Sequence, residues 1–532
     1  MRRLLWLCLA IPVLCWFEFA IFPGHSYLHS ATQVYVPMLQ RIDAPGYLSR
    51  DLAATHPNLS YTIYDEVTLF LHHQARIDFE KALGIQQFVF RLAGLVGIFL
   101  LAQAAGIGGA MSLFVAGLVN WGATLPGPAV CTVDLEPVPL TFACGAVLLA
   151  AGLLTRGKVL ASALSGAVAL LYEPIAAAPF WLIILLGFVL DRASRQRMKP
   201  ILPILVVAVL LLANLAQLQP QIGTGEALSA RLSASVAAIQ QFRTPYAWAS
   251  LWRHEMWHYL AVAVFGIWAA ARVWPRLNRQ MRWLIAGMGL AGMAAVCCSY
   301  LLVDQAHLAA AAAIEPSRLV VFTVLFTSFL CALAAVQALT YARRLEAFAW
   351  FALVAALPLN ARLLDFLRIF EKSHALQLAL SLAIAALLTW TARSRWLPFA
   401  FLIALTALGI TTHVAYTELR PTVLELAQWA EQNTWGGSLF LFPDAGRDLY
   451  PGVFRARARR AIWVDWESGM LATSSQTFAA EWFQRWQNGP SQPIDYYVYK
   501  REHRPQGIQA VFQNSEFSVY DAQDLRYGIK GQ

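Results

Sequence analysis

Charge is what this sequence has least of. Only 13% of its 532 residues are Asp, Glu, Lys or Arg, while 58% are hydrophobic. Soluble domains carry about 25% charged residues, so an ordinary water-soluble protein is excluded for most of the chain. Cysteine is sparse too: there are seven, none after Cys331, and most sit inside apolar runs. That leaves no disulfide framework and no zinc spacing. No Walker loop, dinucleotide glycine fingerprint, zinc motif or nucleophile elbow occurs, which argues against cytoplasmic nucleotide chemistry. The net charge of +9 lies mostly in short segments between apolar runs, as in cytoplasmic loops of membrane proteins. No nucleic-acid partner is expected.

Long apolar runs, by contrast, are plentiful. A span takes roughly 20 apolar residues at 1.5 Å each. Runs of that kind fall at 4–22, 87–105, 108–123, 139–155, 159–172, 175–190, 201–219, 259–273, 283–303, 319–340, 347–360, 375–391 and 396–412. The first follows Arg2-Arg3 without a small-x-small cleavage site and reads as an uncleaved signal-anchor. The stretch 159–190 is broken at Glu173-Pro174, where proline removes a helix hydrogen bond. Read as a hairpin, it gathers sixteen Lys/Arg on one face (2, 3, 156, 158, 192, 195, 197, 199, 272, 276, 279, 282, 343, 344, 393 and 395) against Asp191 and Glu346. Read as one span, it would invert every later loop and destroy that bias. The expectation is a polytopic α-helical membrane protein of about 13 transmembrane or re-entrant helices. Its N-terminus would be cytoplasmic, and the loops 23–86, 124–138, 220–258, 304–318 and 361–374 would lie outside.

From His413 the composition turns polar. Residues 413–532 read as a small extracytoplasmic α/β domain after a membrane domain at 1–412. Its expected elements are a helix over 417–433 with Leu424, Leu426, Trp429 and Ala430 as the buried stripe, and a second helix at 476–487. Strands are expected at 438–442, 461–465, 494–499, 509–512 and 517–520.

The outer loops hold the chemistry-bearing side chains. In the long first loop, 23–86, the run Tyr61-Thr-Ile-Tyr64-Asp65-Glu66 places two carboxylates side by side. One could accept a proton or bind a metal while the other orients it; equally, both could simply begin a helix over 67–83. Asp51, near His56, could be a base, a metal ligand, or a turn residue paired with arginine. His72-His73 could bind phosphate or metal, but neighbours do not share a helix face. Asp134-Leu-Glu136-Pro137, Glu173-Pro174 and Glu315-Pro-Ser-Arg318 all sit at the ends of spans, where ionisable groups default to functional candidates. Arg318 suits a lipid-linked phosphate, or could pair with Glu315 three residues earlier. The arginines 455, 457, 459 and 460 could hold anionic head groups or line a strand edge. The catalytic candidates are therefore Asp65, Glu66 and Asp51. The substrate-binding candidates are Glu136, Glu173, Arg318, Tyr64 and His56. If they form one site, Asp51, Asp65, Glu136, Glu173 and Arg318 should converge.

Several of these segments together resemble the GT-C class of polytopic membrane glycosyltransferases, and more closely a set of allied bacterial inner-membrane proteins of unknown function. They are the acidic first loop, Leu135-Glu136-Pro137-x-Pro139-Leu140, Leu171-Tyr172-Glu173-Pro174, Glu315-Pro-Ser-Arg318, and the tail from Phe442-Pro-Asp444 to Val464-Asp465-Trp466. The resemblance implies a polyprenyl-phosphate-linked sugar donor entering from the bilayer and an envelope glycan, lipid or protein acceptor outside. It further implies inverting hexosyl or pentosyl transfer, with a first-loop acid as general base or as ligand of a divalent metal, Mg or Mn. Such loops often carry an acid soon after the first span, where this chain has His29-Ser-Ala31-Thr32. A non-catalytic envelope binding or assembly protein on the same scaffold is the alternative, and a transporter is the third reading.

Overall fold

The structure, a computed structural model, describes residues 2–56, 62–190, 195–196, 198–218, 229–356, 374–391 and 419–525. Each of the first twelve expected spans falls on a helix; the thirteenth, 396–412, lies outside the described residues, as does the expected domain boundary at 412/413. The helices are α1 (Arg2–Ala20), α4 (Phe79–Ala104), α5 (Gly109–Asn120), α6 (Pro139–Thr155), α7 (Val159–Tyr172), α8 (Pro174–Leu190), α9 (Ile201–Leu218), α11 (Glu255–Val273), α12 (Arg279–Ser299), α14 (Val320–Thr340), α15 (Arg344–Ala356) and α16 (His374–Thr391). Among the described residues four helical stretches are long and apolar enough to cross a membrane, and seven shorter apolar helices accompany them.

The first loop is shorter and more ordered than apolar counting implies. It contains α2 (Thr32–Asp43) and α3 (Tyr64–Ala75), and α4 starts eight residues before the expected span. The cause is local: the Asp78 side chain caps α4 by accepting from the Lys81 N–H, so the helix begins with polar turns that a hydropathy count assigns to loop. The 220–258 and 304–318 segments also carry helices, α10 (Ala234–Arg243) and α13 (Ala309–Ile314).

Helix α14 is the buried axis of the bundle, enclosed by α5, α11, α12 and α15. Beside it α4 and α6 approach to backbone contact. A Cβ on Gly145 would fall 2.1 Å from the Phe90 carbonyl oxygen, and one on Gly97 would fall 2.3 Å from that of Leu148. Without a hydrophobic drive in lipid, close approach at small residues is what holds helices together. Arg91, midway along α4, donates to the backbone oxygens of Glu18, Gly24 and Asp134, which ties the first loop and the 124–138 loop to the bundle.

The tail is α/β, as expected. Helix α17 (Pro421–Asn433) leads into β3 (Leu439–Leu441), α18 (Tyr450–Ala458), β4 (Ala461–Ile462), α19 (Gln476–Gln487), β5 (Tyr496–Lys500), β6 (Phe512–Gln513) and β7 (Phe517–Asp521). A hairpin, β1 (Thr124–Leu125) with β2 (Val130–Cys131), lies apart in the membrane-domain loop. The five-stranded sheet has the order β4-β3-β5-β7-β6, with β4, β3 and β5 parallel and β7 antiparallel to both its neighbours. The strands expected at 461–465 and 509–512 are Ala461–Ile462 and Phe512–Gln513, and two further details differ from the sequence expectation. The buried stripe of α17 is Val423, Leu426, Ala427 and Ala430, with Leu424 at 37% exposure. The arginine-rich stretch is the helix α18, begun by Pro451 near its start and ended by Arg459 in the left-handed region at φ 51°.

The tail is welded to the first loop through that helix. Arg455, buried, lies 3.1 Å from Asp465 and 3.6 Å from Asp51 and donates to the Gln33 carbonyl. Arg457 pairs with Glu80 at 2.8 Å, Arg50 with Asp495 at 2.7 Å, and Gln40 donates to the Ala456 carbonyl. The arginines expected to face anions are thus largely occupied by protein: Arg459 pairs with Glu431, and Arg460 donates to the carbonyls of residues 431, 434, 458 and 459.

Candidate functional site

Proline sets the first member of the site. Residues before proline are driven to extended backbone, and Glu173 adopts φ −153°, ψ 96° between α7 and α8. Pro174 opens α8, and the Glu173 carboxylate accepts from the Ile175 N–H. Burial raises its pKa to about 7, against the lowering effect of Arg318, with Glu315 adding to the rise. A carboxyl poised there is half ionised near neutrality, which is what a general base requires.

Arg318 and Glu315 come from the turn joining α13 to α14. Glu315 ends α13 in the left-handed region, φ 48°, and Pro316 starts the following 3₁₀ turn. Their ion pair, Nε to Oε2, is 2.5 Å long. Glu315 is buried, whereas 28% of the Arg318 side chain is exposed. Only the Nε edge of the guanidinium meets a carboxylate; the terminal nitrogens have no protein hydrogen-bond acceptor among the described residues, and the group lies 5.5 Å from the centroid of the Tyr246 ring. Tyr35, on α2, lies in the electrostatic field of Arg318, Glu173, Glu315 and Tyr246, and burial pushes its phenol pKa up. The tail closes the far side: Thr473 donates to Glu315 at 3.0 Å, Ser30 donates to Glu467 at 2.7 Å, and Arg243 sits 3.4 Å from Glu467. The cluster therefore draws on the first loop, the hairpin apex, the 229–258 segment, the α13–α14 turn and the tail.

Of the five side chains expected to converge, Glu173 and Arg318 act electrostatically on one another. Asp51 is in the tail seam, its oxygens taken by the Ala54 and Ile462 N–H groups beside Arg455. Glu136 accepts from the N–H groups of His29, Ser30, Ala31 and Thr32 and from the Thr32 hydroxyl. It supplies the negative charge at the start of α2 where the chain itself has no acid. Asp65 is buried at the start of α3 with one oxygen unpartnered, and its pKa is raised by burial and by Glu66. Glu66 is exposed. The Tyr64 hydroxyl donates to the Pro137 carbonyl, and His56 bonds the Leu52 carbonyl at 2.8 Å with its ring against Phe478. His72 and His73 both reach Asp43, at 3.9 and 3.1 Å, pinning α3 to α2.

Tyr35, Tyr246 and Glu467 escaped sequence reasoning because nothing in their local sequence marks them. For the expected divalent metal, the described residues include no group of three or more His, Cys, Asp or Glu side chains placed to hold an ion. In the cluster itself Arg318 meets Glu315 at 2.5 Å and acts electrostatically on Glu173.

No family model matches this chain, and no curated protein matches it. Solved structures do. ArnT from Cupriavidus metallidurans, in a crystal structure bound to undecaprenyl phosphate, aligns over 97% of both chains with a TM-score of 0.51 at 14% identity. The same protein in the apo state aligns over 98% of both at 0.49 and 15%. Arabinofuranosyltransferase AftD from Mycobacteria aligns over 84% of this chain and 30% of its own at 0.38 and 16%. The alignment with the lipid-bound structure covers membrane helices and tail together. By fold, then, this chain is built like ArnT over nearly its whole length.

Proposed function

We propose that this protein is a glycosyltransferase that moves a sugar from a polyprenyl-phosphate-linked donor to an acceptor at the outer face of a bacterial inner membrane, with the N-terminus cytoplasmic and the tail outside. The observation that carries this reading is that Arg318, whose terminal nitrogens are open, acts electrostatically on Glu173, whose pKa lies near 7. A guanidinium fork stabilises the charge that grows on a departing phosphate, and a carboxylate of that pKa accepts a proton at neutral pH. In the step, the acceptor oxygen attacks the anomeric carbon as its proton passes to Glu173. The bond from that carbon to the phosphate oxygen breaks, and the polyprenyl phosphate leaves against Arg318 with inversion at the sugar. Asp65, the buried first-loop acid, is the second proton acceptor to test. The fold shared with a protein that binds undecaprenyl phosphate supports the choice of donor class.

One observation favours the alternative, a binding or assembly protein. Two of the outer carboxylates, Asp51 and Glu136, are committed to holding the first loop and the tail together. Transfer from a radiolabelled polyprenyl-phosphate-linked sugar in proteoliposomes separates the two readings. Glu173→Gln should lose transfer while Asp65→Asn retains it; the reverse pattern moves the base to α3, and no transfer by wild type leaves the binding protein.

A further inference from the structure

Just beyond Glu467 the tail presents a second, differently built surface. Trp466 follows β4 and Arg447 follows β3, so both stand on loops outside the carboxyl ends of neighbouring parallel strands, where open α/β sheets characteristically take ligands. Two guanidinium groups lie over the Trp466 indole, Arg243 at 4.6 Å and Arg447 at 4.4 Å from its centroid. Arg243 is answered by Glu467. Arg447 is exposed and has no carboxylate or hydrogen-bond acceptor among the described residues. It also lies 5.5 Å from the centroid of Phe242, which is 42% exposed. Trp486, half-buried like Trp466, lies 5.3 Å from it.

The position matters because it adjoins the cluster. Arg243 donates to the Trp466 carbonyl at 2.6 Å and reaches Glu467, and both Arg243 and Glu467 act electrostatically on Tyr246, which faces Arg318. We infer that Arg447, Trp466 and Phe242 form the acceptor-side platform, and that its ligand is an acidic saccharide. A pyranose ring would rest its C–H face on the exposed Phe242 ring, and its carboxylate or phosphate would take the unpaired fork of Arg447. An aromatic surface alone would accept any sugar. An uncompensated arginine stacked on it selects for negative charge. Naming this ligand the acceptor rests on the transfer reading; the binding itself does not.

The test uses the full chain in nanodiscs of neutral lipid, with saturation-transfer NMR and tryptophan fluorescence as readouts. The probes are a trigalacturonate, a disaccharide phosphate and a neutral trisaccharide. Both acidic probes should bind about tenfold or more tightly than the neutral one, with saturation reaching the ring protons. If only one of them does, the platform reads carboxylate or phosphate specifically. Arg447→Gln should erase the preference for charge, and Phe242→Ala should weaken all three probes. Glu173→Gln should bind as wild type does while failing to transfer, so loss of transfer and loss of binding are told apart. Equal binding of neutral and acidic probes, retention of the preference in Arg447→Gln, or competition by phosphatidylglycerol vesicles as strong as by the saccharides would overturn the platform.

Discussion

At Glu173 one neighbour decides both backbone and chemistry. Pro174 forces the extended conformation and starts α8, and the buried carboxyl left at the apex has its pKa raised to about 7 from an ordinary 4.5. For a carboxyl raised in this way the stabilising contribution is complete below about 4.5 and is lost as pH rises through about 7, where the group ionises. Catalysis runs the other way. Transfer should increase with pH along a limb with an apparent pKa near 7. In Arg318→Gln, which removes the positive charge that lowers this pKa, the limb should move upward while the rate falls about 10²-fold or more. A pH–rate profile of both proteins checks this; a flat profile from pH 6 to 8 in wild type contradicts it. Glu173 and Arg318 were legible in the sequence because each sits in a short motif at the end of an apolar run. The partners of Asp51 were not, since Arg455 and Ile462 lie some four hundred residues away. The place of Glu136 was missed for a related reason: its partners are backbone N–H groups over a hundred residues upstream, and backbone donors carry no sequence signature. Replacing Glu136 by Ala leaves those donors unanswered and should destabilise the protein by about 1.5–3 kcal/mol, measurable as a lower melting temperature with the Glu173 pH limb unchanged.

Among the elements, the helices were easy to read and their ends were not. Proline fixes the starts of α6 and α8, and both were placed within a residue. Helix α4 began early because a polar cap, not apolarity, starts it. Helix α18 was missed because Arg455 faces inward, and alternating arginines with no apolar stripe do not announce a buried face. Two predictions belong here. Gly145→Leu puts a side chain where the Phe90 carbonyl already stands, so α4 and α6 must part; detergent-stable monodisperse protein should be lost, whereas Gly108→Ala, with open space and φ −68°, should cost far less. Arg455→Met leaves Asp51 and Asp465 buried without their cation, a loss of about 3–5 kcal/mol. Limited proteolysis should then release the tail from an otherwise intact membrane domain.

Across the whole molecule, the tail and the first loop form one structure. Thr473 of the tail donates to Glu315 of the α13–α14 turn, and Ser30 of the first loop donates to the tail's Glu467, so the tail is a wall of the site. Sequence could assign the fold because hydropathy and charge bias act over the whole chain, and the shared architecture with ArnT bears that assignment out. It could not assign the site, because a site made from five separated segments exists only once they are folded together. The central claim is that Glu173 and Arg318 act as one catalytic pair on a lipid-phosphate sugar. The most direct measurement is single-turnover transfer from a polyprenyl-phosphate-linked donor by wild type, Glu173→Gln, Arg318→Gln and the double variant in proteoliposomes. The account predicts that each single change removes nearly all transfer and that the double variant is scarcely slower than either, as for groups acting as a unit. Wild-type rates in either single variant would contradict it.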